Sequence, residues 1–146
     1  MTYEQLKLEN QLCFPVYAAS RLITREYQPL LEKMEITYPQ YLVLLILWEE
    51  DNVPVNDIAK KLILNTNTIT PLLKRMEQQD LLKRKRSEED ERKVIVQLTK
   101  QGAQLKQQAS LIPEKLAKRL LKSELQVEDL IKLKDNLNTI IQLLSK

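Results

Sequence analysis

The stretch from Thr66 to Thr99, TNTITPLLKRMEQQDLLKRKRSEEDERKVIVQLT, decides the fold because its hydrophobic period changes halfway along. In the first half, apolar residues recur every three or four positions, which predicts a helix capped by Asn65 or Thr66. Its inward-facing residues are expected to be Ile69, Leu72, Leu73 and Met76. In the second half, Leu81-Leu82 and the alternating Val94, Val96 and Leu98 predict two short strands. The charged residues between these strands form their connection.

A second short helix is predicted immediately before this stretch, at Val55–Leu62 (VNDIAKKL). A break at ILN separates the two helices, so together they form a helix-turn-helix pattern. The outer face of the second helix carries polar side chains, namely Thr68, Thr70, Lys74 and Arg75. The hairpin that follows predicts a β wing after the helix-turn-helix.

Longer helices are predicted on both sides of this central part. The first carries an apolar stripe from Leu12 to Met34, and the second runs from Tyr38 to about Asp51. From Lys100 the chain is helical again, with a bend at Pro113. Ser123 followed by Gln126 suggests a capping box for a last helix. Its stripe is Leu130, Leu133, Leu137, Ile141 and Leu144.

The terminal stripes need a larger core than the central part offers, so we expect the terminal helices of two chains to form a homodimer. The fold class is mainly α, a winged helix-turn-helix with a two-stranded β wing, in a single domain spanning 1–146. The DNA-binding part is expected over 37–99. The dimerisation helices are expected over 5–36 and 100–146.

Composition excludes several classes of protein. The longest apolar run, Tyr41–Trp48, is much shorter than the roughly 20 residues that span a bilayer, so no membrane partner is expected. One cysteine and no recognisable leader predict a cytoplasmic protein. The chain has no histidine, which removes the usual general base and the commonest metal ligand. We therefore expect neither an enzyme nor a cofactor.

Charge placement around the predicted wing favours nucleic acid. Between Lys74 and Lys93 there are eight basic and six acidic residues, a balance of only +2. However, the basic residues Lys83–Arg86 follow one strand, and Arg92 lies past the acidic tip, where it can enter a minor groove. Asp90 is well spaced to hold the Arg92 guanidinium. The predicted DNA-binding residues are Asn67, Thr68, Thr70, Lys74, Arg75, Arg84, Arg86, Asp90 and Arg92. The alternatives are a solvated loop and ordinary helix capping.

The order of these elements, the segment from Thr68 to Gly102 and the D-x-R at Asp90–Arg92 resemble the winged-helix MarR transcriptional regulators. The segments LCFPVYAASR and ITYPQYLVLLILWE resemble more narrowly the organic-hydroperoxide-sensing OhrR repressors. The resemblance covers nearly the whole chain. Two positions depart from the pattern: Pro15 lies where the first helix should continue, and Asp80 stands where many relatives have glycine.

The resemblance implies a homodimeric repressor that binds an inverted-repeat operator in double-stranded DNA when reduced, and releases it when an N-terminal cysteine is oxidised. The sensing thiol is then Cys13, and the matching tyrosines are Tyr17, Tyr27 and Tyr38.

Helix geometry divides these tyrosines. Tyr17 lies one turn from Cys13 and can contact it within the chain, whereas Tyr27 is 14 residues away, or about 21 Å on one helix. A contact with Tyr27 must therefore come from an antiparallel partner. A free thiol ordinarily has a pKa near 8.5, so donors must stabilise the reactive thiolate. Since there is no second cysteine, the sulfenic acid is expected to condense with a low-molecular-weight thiol or another protein's cysteine.

Two other functions remain open from the sequence. Cys13 can instead be a small buried hydrophobe in a regulator that is switched by an apolar or phenolic ligand between the dimer helices. A thiol peroxidase is the third hypothesis, but the chain lacks a histidine, a resolving cysteine and a thioredoxin-like βαβ pattern.

Overall fold

The computed structural model describes residues 1–145, which fall into two compact units that divide between Tyr38 and Pro39. In the first unit, two 3₁₀ turns, Glu4–Leu6 and Leu8–Asn10, precede helix α1, Cys13–Glu32. Pro15 lies in the first turn of α1, where a missing backbone N–H costs no helical hydrogen bond. The predicted first helix is confirmed, and Pro15 does not interrupt it.

The helices and strands of the second unit occur in the predicted order along the chain. Helix α2 begins at Tyr38, the last residue of the first unit. Helix α2 spans Tyr38–Glu49, and five further helices lie within the described residues: α3 Val55–Leu62, α4 Thr66–Gln78, α5 Lys100–Ala109, α6 Ile112–Leu120 and α7 Val127–Leu144. The predicted bend at Pro113 is instead a break between α5 and α6, because Pro113 occupies the first turn of a new helix. No helix within residues 1–145 is long and apolar enough to cross a membrane.

The sheet has one strand more than predicted. Strands β2 (Leu82–Arg86) and β3 (Val94–Leu98) form the antiparallel wing, with Arg84 opposite Val96. A short strand β1, Val53–Pro54, pairs with the other edge of β3, giving the order β1-β3-β2 within the described residues. Its two residues, one of them proline, carry no alternating pattern that sequence reasoning can detect.

The core of the second unit is formed where the helix-turn-helix meets the sheet. The predicted inward residues Ile69, Leu72, Leu73 and Met76 are all buried, together with Ile58, Leu82 and Val96. Asn65 caps α4, and its side chain accepts a hydrogen bond from the Thr68 backbone N–H at 3.0 Å. Both features confirm the predicted helix-turn-helix.

The turn from α4 into β2 is tightly fixed. Asp80 adopts a left-handed backbone with φ of 58°, which aspartate tolerates better than most residues, so glycine is not required there. Glycine is required at Gly102, since a Cβ would lie 2.0 Å from the Leu81 carbonyl oxygen. The Trp48 indole donates to the Gly102 carbonyl oxygen at 2.9 Å and joins α2 to α5.

The predicted capping box of the last helix is wrong by one turn. Gln126 is the N-cap of α7, and it exchanges hydrogen bonds with Asp129 at the third helical position. Ser123 instead donates to the Leu120 carbonyl oxygen and accepts from the Leu125 N–H. The helix therefore begins at Val127, because only this box satisfies both the N-cap and the N3 backbone donors.

Candidate redox centre and nucleic-acid interface

The single cysteine lies at the first residue of α1, and its side chain is exposed. Tyr17 is one turn further along the same helix and is 62% exposed. An exposed thiol is not part of this chain's own hydrophobic core. The structure therefore argues against the alternative that Cys13 is a small buried hydrophobe of the chain.

The first three turns of α1 also carry a cation. The Arg21 guanidinium lies over the Tyr17 ring, 4.7 Å from its centroid, a cation–π arrangement. The sequence from Cys13 to Arg25 contains two arginines and no acidic residue, so this segment is positively charged. Sequence analysis missed Arg21, although its four-residue spacing from Tyr17 is a detectable signal.

The other two predicted tyrosines contact each other. The Tyr27 and Tyr38 rings meet edge to face with centroids 5.1 Å apart. Burial raises the pKa of the Tyr38 phenol above its ordinary value of 10.0, so Tyr38 stays protonated at neutral pH and can donate a hydrogen bond. Of the four predicted residues, the structure brings Tyr27 and Tyr38 into contact, while Cys13 and Tyr17 lie one turn apart on α1. Within one chain, Tyr27 lies too far along α1 to reach Cys13.

The predicted DNA-binding residues of α4 share an exposed face. The five side chains concerned are all exposed: Asn67, Thr68, Thr70, Lys74 and Arg75. The Thr68 hydroxyl also donates to the Asn65 side chain at 3.2 Å. Thr68 therefore both contributes to the cap and faces solvent, so capping does not remove it from the predicted DNA-binding face.

The wing tip has the geometry that the sequence predicted. The Asp90 carboxylate accepts hydrogen bonds from the Arg92 backbone N–H at 3.1 Å and from its guanidinium at 3.2 Å. These bonds lower the pKa of the Asp90 carboxyl, which is therefore ionised at neutral pH. The Arg92 side chain nevertheless remains 90% exposed. A guanidinium oriented by a carboxylate and open to solvent is suited to entering a groove of DNA.

Of the two basic residues of β2 predicted to bind DNA, Arg86 is exposed and Arg84 is only partly so. The Arg84 side chain is 23% exposed and forms an ion pair with Glu77 of α4, with Nη2 and Oε2 3.0 Å apart. The sequence did not predict a role for Glu77. Its partner Arg84 lies seven residues later, across the turn from α4 to β2, and this spacing matches no local motif. Arg84, Arg92, Lys93, Thr66 and Thr70 line a cleft of about 360 Å³ between α4 and the wing.

Known proteins are similar to this chain in sequence and in structure. A family described as transcriptional regulator SarA/Rot matches residues 25–109. The organic hydroperoxide resistance transcriptional regulator of Bacillus subtilis (strain 168) is 51% identical over 142 residues, 97% of this chain and 95% of that protein. A solved structure of reduced AbfR bound to DNA has 38% identity and a TM-score of 0.77, covering 99% of this chain and 100% of that one. AbfR is from Staphylococcus epidermidis.

A structure of disulfide-formed AbfR has 39% identity and a TM-score of 0.66, covering 94% of this chain and 95% of that one. With the exposed polar face of α4 and the wing, these similarities define a winged-helix transcriptional regulator. The chain belongs to the MarR-type family, in which its sequence is similar to the organic hydroperoxide resistance regulators.

Proposed function

We propose that this protein is a homodimeric, DNA-binding repressor that senses organic hydroperoxides through oxidation of Cys13 and then releases its operator. The single observation that carries the proposal is the exposed Cys13 thiol at the start of α1, in a chain that also carries an exposed polar face on α4 and a basic wing. A 51% identical relative named for organic hydroperoxide resistance supports it. Because its target is operator DNA, we propose that the protein acts in the cytoplasm.

In this proposal Cys13, exposed at the first residue of α1, is the residue that meets the peroxide. Tyr17 lies one turn further along the same helix, and the Arg21 guanidinium lies over its ring. All three residues therefore belong to the first three turns of α1.

The proposed reaction has two steps. The thiolate attacks one oxygen of the hydroperoxide ROOH, the O–O bond breaks, and the alcohol ROH leaves after taking up a proton, so sulfur becomes a sulfenic acid. A low-molecular-weight thiol then condenses with it, forming the S–S bond and releasing water. The resolving thiol must come from outside the chain, since the sequence has only one cysteine.

A second copy of the chain completes the site in this proposal. Exposed apolar side chains are concentrated in the terminal segments, and none of the residues of α7 is buried within Val127–Leu144. If two α1 helices run antiparallel, the Tyr27–Tyr38 pair of one chain reaches the Cys13–Tyr17 pair of the other. A mixed disulfide at this seam alters the spacing of the two winged parts, whose α4 helices must match major grooves about 34 Å apart.

One cavity supports a second candidate function. A space of about 540 Å³ in the first unit is lined by Arg21, Arg25, Leu31, Ile36 and Tyr38, and its size is suitable for a small ligand. A regulator switched by an apolar or phenolic ligand bound here would not need Cys13.

The test is a titration of cumene hydroperoxide against operator-bound protein with a small thiol present, for wild type and Cys13→Ser. We expect release for wild type only, with mass added at Cys13 and no more than about one peroxide consumed per chain. Release of operator DNA by the Cys13→Ser variant would favour the regulator that is switched by a ligand. Consumption of many peroxide molecules per chain would instead indicate a thiol peroxidase.

A further inference from the structure

A winged helix must contact two grooves of DNA at once. The recognition helix enters a major groove, while the wing tip reaches the adjacent minor groove. The phosphate backbone runs between them, so the protein must hold the wing at a fixed distance from the helix. Here the wing strand β2 joins α4 through only the three residues 79–81, and the tip lies beyond its far end.

A carboxylate bridges α4 and the wing. Glu77, in the last turn of α4, accepts a hydrogen bond from the Arg84 backbone N–H at 3.0 Å through one oxygen. Its other oxygen accepts from Arg84 Nη2 at 3.0 Å and from Nε at 3.3 Å. Both carboxylate oxygens are thus used, and they hold the backbone and the side chain of the same β2 residue.

We propose that Glu77 is a positioning residue for DNA reading: its bridge to Arg84 fixes the wing relative to α4, so that Arg92 reaches the minor groove while α4 occupies the major groove. This inference rests on the proposed DNA-binding function. Glu77 acts through Arg84 and the wing strand and does not itself touch DNA.

The position of the bridge gives it leverage. Arg84 lies in the middle of β2, and the tip with Asp90 and Arg92 lies past the end of the strand at Arg86. At about 3.3 Å per residue, Arg84 is already roughly 7 Å from that end. A small rotation of β2 at the bridge therefore produces a larger displacement of the Arg92 guanidinium. Hydrogen bonds from that guanidinium to DNA tolerate changes of only a few tenths of an ångström in the donor–acceptor distance.

Two features indicate that Arg84 helps to position the wing and does not itself bind a DNA phosphate. First, the hydrogen bonds from Arg84 lower the pKa of the Glu77 carboxyl below its ordinary value of 4.5, so the bridge is fully charged at neutral pH. Second, Glu77 also holds the Arg84 backbone N–H, a contact that a phosphate taking over the guanidinium would not replace. The exposed Arg86, Arg92 and Lys93 remain available for the DNA backbone.

The test is a double-mutant cycle on operator affinity that combines Glu77→Gln with Arg92→Ala. In the wild-type background, Arg92→Ala should weaken binding about tenfold. In the Glu77→Gln background, Arg92→Ala should weaken operator binding only about twofold, because the wing is already displaced. Glu88→Gln is the matched control, since it removes an exposed wing carboxylate without touching the bridge, and there Arg92→Ala should still cost about tenfold. Arg84→Lys, which keeps the charge but loses the forked contact, should reproduce Glu77→Gln.

Equal costs of Arg92→Ala in the wild-type and Glu77→Gln backgrounds would overturn the inference, as would tighter operator binding by Glu77→Gln with a steeper salt dependence. The second result would mean that Glu77 merely withholds Arg84 from a phosphate. If Glu77 only stabilised the fold, Arg92→Ala would weaken operator binding equally in both backgrounds at a temperature where every variant is folded. That result too would overturn the inference. Failure of the wild-type protein to bind operator would instead refute the proposed function.

Discussion

The winged part of the chain and its terminal helices differ in how they bury apolar residues. In α4 and the wing, Ile69, Leu73, Leu82 and Val96 are buried within the single chain. In α7, by contrast, Ile131, Leu133, Ile140 and Ile141 are each at least 43% exposed, and the residues before and at the start of α1 are similar. The winged part therefore contains its own core, whereas the terminal helices need a second copy to bury theirs.

The largest expected effect comes from the exposed stripe of α7. Leu133→Asp should dissociate the dimer and weaken operator binding by on the order of 100-fold, because two linked half-site contacts become independent. Sedimentation velocity and operator titration measure both effects. Thr139→Asp adds the same charge on the polar side of α7 and should leave the protein dimeric. A Leu133→Asp protein that stays dimeric would show that this stripe is not the interface.

Truncation of a core side chain in the winged part should have a different effect from truncation of an exposed apolar side chain in α7. Leu73 is 0% exposed, so Leu73→Ala should lower the free energy of unfolding by about 2–5 kcal/mol through lost burial and a cavity. Urea unfolding at several protein concentrations, compared with Leu133→Ala, sharpens the contrast. The shift for Leu73→Ala should be the same at all concentrations, and that for Leu133→Ala should be larger in dilute protein. Equal dependence on concentration for both would contradict a self-contained winged core.

The exposed Arg92 tests how the winged part reads DNA. Arg92→Ala should weaken operator binding about tenfold and lower the slope of log K against log salt by about one, since one guanidinium contact to DNA is lost. Fluorescence anisotropy from 50 to 300 mM salt measures both quantities. Lys122→Ala, a cation between α6 and α7 outside the wing, is the control and should leave the slope unchanged. An unchanged slope for Arg92→Ala would place Arg92 away from DNA.

The smallest expected effect is a pH dependence from the Glu77–Arg84 bridge. Because the pKa of the Glu77 carboxyl is lowered in the folded protein, the bridge contributes stability that is fully present above the unfolded value of 4.5. That contribution is lost as the pH falls through the lower folded value. The difference in melting temperature between wild type and Glu77→Gln should therefore be constant from pH 7 to 5.5 and shrink below about pH 4. A difference that grows on acidification would contradict the bridge.

The sequence predicted those parts of the molecule that depend on local pattern. The inward face of α4, the Asn65 cap, the wing strands and the Asp90–Arg92 pair all arise from residues a few positions apart, and all are confirmed. By contrast, the sequence did not predict β1, which has too few residues for a period, or the Glu77–Arg84 bridge, which depends on how a turn folds back. Gln126 and Ser123 are both capable caps, and only packing selects between them.

The redox centre shows the same division between local and non-local information. The spacing of Cys13 and Tyr17 predicts a contact within α1, and the structure adds Arg21 on the same helix. The Tyr27–Tyr38 contact joins α1 to the start of α2 and could not be read from spacing alone. Because Tyr27 lies too far along α1 to reach Cys13 of its own chain, we predict that the pair acts on Cys13 of the partner subunit.

The most direct measurement of the central claim is the oxidation rate of two mixed dimers, each with one remaining Cys13. In the first, a Tyr27→Phe subunit that keeps Cys13 pairs with a Cys13→Ser subunit that keeps Tyr27. In the second, a wild-type subunit pairs with a subunit carrying both Cys13→Ser and Tyr27→Phe. A site shared across the dimer predicts that the first reacts with cumene hydroperoxide as fast as wild type and that the second is slow. Slow reaction of the first with fast reaction of the second would place the whole site within one chain and contradict the account.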